Sequence, residues 1–122
     1  MPKFPFEMVP LPEDRSSLKP RKTGLTMMVD FGMPVGKLED LLGLVGPHVD
    51  LIKIAVGSAR LYRETYLGQK IRLCEGYDVK PFIGGQFLEY VIATQGFEAA
   101  PDFYKEAKRM GFEPHAFRLL VK

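Results

Sequence analysis

Two charged residues, Asp30 and Lys53, interrupt runs of the sequence that are otherwise apolar. Asp30 ends the run that begins at Leu25, and Lys53 lies inside the run over 49–56. If both runs are strands, side-chain alternation predicts that Asp30 and Lys53 project from one face, opposite the helices. A lysine in an apolar strand is costly unless it is paired or hydrated. The two side chains could therefore bind an anion or exchange a proton, or they could form only an ion pair with each other.

Two glycines, Gly84 and Gly85, directly follow a third apolar run, from Val79 to Ile83. Glycine allows the backbone to approach a ligand closely, because it has no Cβ. In parallel α/β proteins the carboxyl ends of the strands carry the ligand site. We therefore expect this glycine pair to border a ligand site at the carboxyl end of the sheet, where Asp30, Lys53 and Glu89 should converge.

Other short motifs match the sequences of known functional sites but lack the surrounding features of those sites. The triplet Asp30–Gly32 matches the kinase magnesium motif, but the phosphate loop and catalytic loop of kinases are missing. The triplet Gly84–Gln86 matches the catalytic triplet of peptide-release factors, but here it directly follows a predicted strand. His48 and His115 lack the spacing of zinc ligands. Cys74 lies on an apolar helical stripe, which favours a packing role.

The elements that position these residues repeat along the chain. Short apolar runs that end near glycine predict strands near 25–30, 50–55 and 79–83, with a fourth due near 112. Helical periods between them predict helices near 35–45, 59–76 and 86–110, the last interrupted around Gly96 and Pro101. Strands that alternate with helices are typical of a parallel sheet with right-handed crossovers. The fold class is therefore α/β.

Composition narrows the class of protein further. The chain has 122 residues and a net charge of +2, which suits one domain and argues against a nucleic-acid partner. No apolar run approaches the roughly 18 residues of a membrane span, so we expect no membrane association. The single cysteine is typical of a reducing compartment, and we expect the cytoplasm. Five of the ten prolines precede Arg21, which predicts an extended proline-rich arm over 1–23.

Several segments occur in the order and with the character found in the phosphosulfolactate synthase family. They are the segment Lys22–Gly32, the helix opening Leu38–Leu41, the strand Asp50–Lys53 with the following Gly57-Ser58, the run Val79–Glu89, and the segment Ala107–Glu113. The chain resembles this family from Lys22 to Glu113. The resemblance implies a TIM barrel that adds sulfite to phosphoenolpyruvate with Mg²⁺, an early step of coenzyme M biosynthesis.

The resemblance also implies roles for residues at the ends of the first three strands. Catalysis would fall to Asp30 and Lys53, and Mg²⁺ would be held by Asp30 and Glu89. The substrate-binding residues implied by the resemblance are Lys53, Gly57, Ser58, Gly84 and Gly85. A cation suits a substrate like phosphoenolpyruvate, because sulfite addition builds negative charge on the substrate carboxylate. Lys53 and Mg²⁺ would stabilise that charge.

Complete barrels of this kind need about 250 residues, and the resemblance stops after Glu113. We therefore expect residues 24–113 to form a partial barrel of three to four βα units, followed by a divergent tail over 114–122. The tail indicates a frameshifted or truncated product, and a real variant tail is the alternative. Two functions stay open. One is a synthase of this family, and the other is a non-catalytic half-barrel or interaction module.

A partial barrel would also leave its inward sheet face uncovered. The residues expected on that face are Met28, Leu51, Ala55 and Phe82. Parallel sheets normally have both faces covered, and a large exposed apolar patch usually finds a partner. We therefore expect the chain to form a homo-oligomer.

Overall fold

The computed structural model describes residues 4–12, 18–55 and 57–113. Its elements in chain order are β1 (Met27–Asp30), α1 (Val35–Val45), β2 (Leu51–Ile54), α2 (Glu64–Gly76), β3 (Lys80–Ile83), α3 (Gly85–Gln95) and α4 (Ala100–Met110). Short 3₁₀ turns occupy Gly46–His48, Ser58–Arg60 and Phe97–Ala99. The α/β class, the three strands and the interrupted third helical region are confirmed.

The three strands form one parallel sheet in the order β1-β2-β3. Each strand is joined to the next by a helix, because parallel neighbours require a crossover connection. Sequential order with a helix between neighbours is the arrangement of the first units of a (βα) barrel. The sheet is therefore consistent with a partial barrel.

One face of the sheet is covered by α1 and α2. Leu38 and Leu42 of α1 and Cys74 of α2 pack with Ile52 of β2, and all four are at most 1% exposed. The hydrophobic stripes on both helices explain this packing, since residues three or four apart share a helix face. A second cluster continues the same layer and contains Ile54, Leu67, Ile71 and Phe112.

The other face is less open than the sequence predicted. Leu51 is 1% exposed, Ala55 2% and Phe82 3%, and Leu25 packs against Leu51 and Phe82. Met28 packs in the helix-covered layer instead. The expectation that these four residues form an uncovered face is therefore wrong, because part of the chain itself buries three of them. Homo-oligomerisation stays a prediction.

The chain returns to the sheet after α4. Gly111 ends that helix in the left-handed region, with φ +101°, a conformation that favours glycine. Two residues later the Glu113 amide donates to the Pro81 carbonyl at 2.7 Å. This hydrogen bond lies beside β3, where the fourth strand was expected. The predicted tail over 114–122 lies outside the described residues.

The amino-terminal residues 4–12 and 18–23, as far as they are described, contain no helix or strand. Lys19 and Arg21 contact the amino ends of the sheet through several hydrogen bonds. The predicted boundaries at 23 and 113 stay predictions. Within the described ranges, no helix is long and apolar enough to cross a membrane.

Candidate functional site

The strand register decides which side chains can meet. Val29 of β1 pairs with Lys53, and Lys53 pairs with Phe82, while Asp30 pairs with Ile54. Paired residues of neighbouring strands project from the same face. Lys53 therefore projects away from α1 and α2, and Asp30 projects toward them. The prediction that Asp30 and Lys53 share a face is wrong.

Lys53 reaches across to the glycine that follows β3. A Cβ on Gly84 would overlap Cε of Lys53 and would lie 3.3 Å from its Nζ. Lys53 is partly buried, and among the described residues its ammonium has no hydrogen-bond or ion-pair partner. The predicted neighbours Lys53 and Gly84 are thus brought together at the carboxyl ends of β2 and β3. An unpaired ammonium here attracts an anion.

The loop after β2 supplies a second polar group. Gly57 adopts φ +75°, which suits glycine, and a Cβ on it would contact the Phe87 ring at 3.7 Å. The next residue, Ser58, has a buried hydroxyl, and its Oγ has no hydrogen-bond partner in the ranges 4–12, 18–55 and 57–113. A buried polar atom without a partner is unusual in a native protein. The loop therefore holds a hydroxyl that a bound ligand could satisfy.

Asp30 is held in a different environment. It is 1% exposed, and its Oδ1 accepts hydrogen bonds from the amides of Gly32 at 2.8 Å and Met33 at 2.6 Å. Its Oδ2 lies 2.6 Å from Nζ of Lys70, whose side chain is fully buried on α2. Both carboxylate oxygens are therefore engaged within the chain, and Asp30 anchors the loop between β1 and α1.

Lys70 is the residue that sequence reasoning missed. Its Nζ also donates to the Met33 carbonyl at 2.8 Å and lies 4.7 Å from the centre of the Tyr62 ring. A signal was present in the sequence, because Lys70 interrupts the apolar stripe that Leu67 and Ile71 form on α2. A charged residue on a core-facing stripe indicates a buried partner.

The second carboxylate predicted for Mg²⁺ differs from Asp30 in its exposure. Glu89 is exposed on α3. Among the described residues, no group of three or more histidine, cysteine, aspartate and glutamate side chains could hold a metal ion. Asp30 is engaged by Lys70 and by two backbone amides, and the predicted pair of Mg²⁺ ligands stays a prediction. Gly85 begins α3 and is partly buried beside Gly84.

Comparison with known proteins identifies relatives of this chain. The family model described as (2R)-phospho-3-sulfolactate synthase (ComA) matches residues 14–114. A phosphosulfolactate synthase from Methanothermobacter thermautotrophicus is 34% identical over 95 residues, which cover 78% of this chain and 36% of that protein. Another from Methanocaldococcus jannaschii is 29% identical over 90 residues, which cover 74% of this chain and 35% of that protein.

A phosphosulfolactate synthase from Bacillus subtilis is 28% identical over 77 residues, which cover 63% of this chain and 30% of that protein. The chain thus spans about a third of the length of these curated relatives. The match includes Lys53, Gly57, Ser58, Gly84 and Gly85, all within residues 14–114. The family model matches residues 14–114, which is more than half of the chain, and the chain therefore belongs to the (2R)-phospho-3-sulfolactate synthase (ComA) family.

Proposed function

We propose that this chain carries the anion-binding part of a site that adds sulfite to phosphoenolpyruvate. The observation that carries the proposal is the ammonium of Lys53 beside Gly84, which has no partner within the part of the chain that the structure describes. Both co-substrates are anions, so a cation at the carboxyl ends of parallel strands is the group they require. The names of the matched relatives support the same reaction.

Lys53 would act by binding and orienting the carboxylate of the phosphoenolpyruvate-like substrate. When sulfite sulfur bonds to the methylene carbon, the electron pair of the double bond moves toward that carboxylate. An ammonium placed at the carboxylate stabilises this charge more strongly in the transition state than in the ground state. A proton must then reach the neighbouring carbon, and the described residues do not identify its donor.

The surrounding loops would complete the contact with the substrate. The Ser58 hydroxyl is buried and lacks a partner, so a substrate oxygen can satisfy it. Gly84 and Gly85 let the substrate approach the backbone at the end of β3, where a side chain on Gly84 would displace Lys53. Gly57 holds the loop of Ser58 in its left-handed turn.

The predicted Mg²⁺ and its ligands stay predictions. Asp30 is committed to Lys70 and to two backbone amides, so we derive no step through a metal held by Asp30. Glu89 is exposed and remains a candidate ligand. A cytoplasmic location and a homo-oligomeric assembly also stay predictions.

A binding experiment tests the proposal directly. Phosphoenolpyruvate and sulfite are titrated separately into the full chain, and amide chemical shifts are followed by NMR. We expect shifts centred on Gly57, Ser58 and Gly84, and a loss of binding of roughly tenfold or more in Lys53→Met. Lys37→Met is the matched control, because Lys37 is an exposed lysine on α1. Equal affinity in the two variants would contradict the role of Lys53.

The second candidate function is a non-catalytic half-barrel or interaction module. It is favoured by the coverage of the relatives, since the chain corresponds to only 30–36% of their length. The same preparation separates the candidates in an assay for the sulfonated product. Product formation that is lost in Lys53→Met supports the synthase, whereas anion binding without turnover supports the non-catalytic module.

A further inference from the structure

Four backbone carbonyls surround the ammonium of Lys19. Its Nζ lies within hydrogen-bond distance of the carbonyl oxygens of Gly46 at 2.9 Å, Val49 at 2.5 Å, Tyr77 at 3.0 Å and Asp78 at 3.0 Å, so its three N–H groups are shared among four acceptors. The donor comes from the amino-terminal segment, 27 to 59 positions before its acceptors. We call this group of four carbonyls the carbonyl cage.

The carbonyl cage has its origin in the ends of two helices. Gly46 begins the 3₁₀ turn that follows α1 and Val49 comes directly after that turn, while Tyr77 and Asp78 follow the last residue of α2. Carbonyls at a helix carboxyl end lack intrahelical donors and carry partial negative charge. The right-handed crossovers bring both ends to the amino side of the sheet, just before β2 and β3. Two successive βα units thus direct carbonyls from their helix carboxyl ends at one point, where the Gly46 carbonyl also accepts from the Val49 amide at 3.2 Å.

The surrounding charges favour a cation at this point. The carboxylates of Asp50 and Asp78 act to raise the pKa of Lys19, while burial outweighs them and lowers it. Arg21 lies beside Lys19, but its own guanidinium is engaged by Asp50 Oδ1 at 2.6 Å and by the Pro47 carbonyl at 2.5 Å. The ammonium of Lys19 is therefore held mainly by neutral carbonyl oxygens.

We propose that the carbonyl cage is a binding site for a compact monovalent cation, and that Lys19 fills it as a tethered ammonium. Filling the site fastens residues 18–21 across the amino ends of β2 and β3. The site lies at the opposite end of the sheet from Lys53, so it is independent of the proposed synthase site. Its chemistry is that of ammonium or potassium, because rings of backbone carbonyls replace the hydration shell of such ions.

The shape of the carbonyl cage should make the site selective among cations. An ammonium is a compact point charge that donates in three directions, whereas the guanidinium of arginine is a planar fork. Free ammonium or potassium should therefore replace the Lys19 side chain, and tetramethylammonium should not, because its methyl groups cannot donate and are too large. An arginine at position 19 should fill the site poorly.

Limited digestion with trypsin tests the proposal on the full chain. Trypsin does not cut before proline, so the Lys19-Pro20 bond is resistant and Lys19→Met leaves the set of cleavage sites unchanged. We expect cleavage after Arg21 or Lys22, identified by fragment mass, to accelerate roughly tenfold in Lys19→Met, about the value of one charge-assisted hydrogen bond. Ammonium or potassium chloride should slow it again. Tetramethylammonium chloride at equal ionic strength should leave it fast.

Two further variants test whether protection from trypsin depends on an ammonium at position 19. Lys37→Met removes an exposed lysine and should digest like the parent chain, while Lys19→Arg should digest like Lys19→Met. The proposal is overturned if Lys19→Met digests at the parent rate, if tetramethylammonium protects it equally, or if Lys19→Arg restores full protection. If Lys19→Met does not fold in buffer alone, its helical circular dichroism in potassium and in tetramethylammonium chloride gives the same comparison.

Discussion

Oδ2 of Asp30 and Nζ of Lys70 lie 2.6 Å apart, and neither side chain has any exposed surface. The pair joins the end of β1 to the middle of α2 beneath the loop over 31–33. Removing two charges together from a protein interior is often tolerated, whereas removing one leaves the other uncompensated. The contact therefore gives Asp30 a role in stabilising the fold that does not depend on any catalytic role.

The first prediction concerns this pair. Asp30→Asn keeps a side-chain acceptor for the loop amides but leaves the Lys70 ammonium without its counter-ion. We expect the free energy of unfolding, measured by urea denaturation, to fall by about 3–5 kcal/mol. Glu39→Gln on the exposed face of α1 is the control and should change it by less than about 0.5 kcal/mol.

The double variant Asp30→Asn/Lys70→Met sharpens this test. It removes both charges, so its loss of stability should be smaller than the sum of the two single losses. Additive losses would show that the ion pair contributes nothing of its own. A stable Asp30→Asn protein with weakened Mg²⁺ binding would instead restore the metal-ligand role implied by the family resemblance.

The elements were predictable from sequence because each signal is local. Strands near 25–30, 50–55 and 79–83 followed from short apolar runs ended by glycine, and the break in the third helical region followed from Gly96 and Pro101. The pattern of one strand decides its two faces but not which face meets the helices. The sequence pattern predicts the polar face for Asp30, because a charged residue is buried only with a partner. That partner, Lys70, lies 40 positions further along the chain, so the local pattern does not show it.

The site was predictable in part for the same reason. Lys53 and Gly84 follow consecutive strand ends, so parallel topology alone brings them together. The attachment of Lys19 could not be predicted, because its acceptors are backbone carbonyls, and sequence does not show where two helix ends converge. Glu89 lies on a helix, whose rotation about its axis decides what its side chain faces.

The second prediction concerns the space that Gly84 leaves for Lys53. In Gly84→Ala the new methyl group would overlap Cε of Lys53, so the ammonium must move. We expect affinity for phosphoenolpyruvate, measured by titration calorimetry, to fall by roughly tenfold while the chain stays folded. Gly36→Ala is the matched control, because nothing lies within 4 Å of a Cβ there. Unchanged affinity in Gly84→Ala would mean that the position of Lys53 does not matter for binding.

The third prediction concerns pH. Burial, with a smaller contribution from Asp30, raises the pKa of the Cys74 thiol from its ordinary value of 9.0 to about 11. Between these values the unfolded chain loses the thiol proton and the folded chain keeps it, so the unfolded state binds fewer protons. The contribution of Cys74 to the free energy of unfolding is therefore fully present below pH 9. It is lost as pH rises toward 11, and the total loss is on the order of 2 kcal/mol.

Unfolding of the parent chain and of Cys74→Ala, followed across this pH window, isolates the thiol. Other groups titrate there in both proteins, so only the difference between the two curves reports Cys74. We expect that difference to shrink as pH rises. A difference independent of pH would show that the thiol ionises as readily in the folded chain as in the unfolded one.

The last prediction separates stability from binding at Ser58. Its hydroxyl is buried and has no hydrogen-bond partner among the residues that the structure describes, so the folded chain bears a desolvation cost that Ser58→Ala removes. We expect Ser58→Ala to unfold at an equal or higher urea concentration than the parent chain and to bind phosphoenolpyruvate several-fold more weakly. Thr94→Ala is the control, since the Thr94 hydroxyl is exposed and donates to the Tyr90 carbonyl of its own helix. A loss of stability in Ser58→Ala with unchanged binding would show that the hydroxyl stabilises the loop instead. A hydroxyl that serves only to bind a ligand can be removed without lowering the stability of the ligand-free protein.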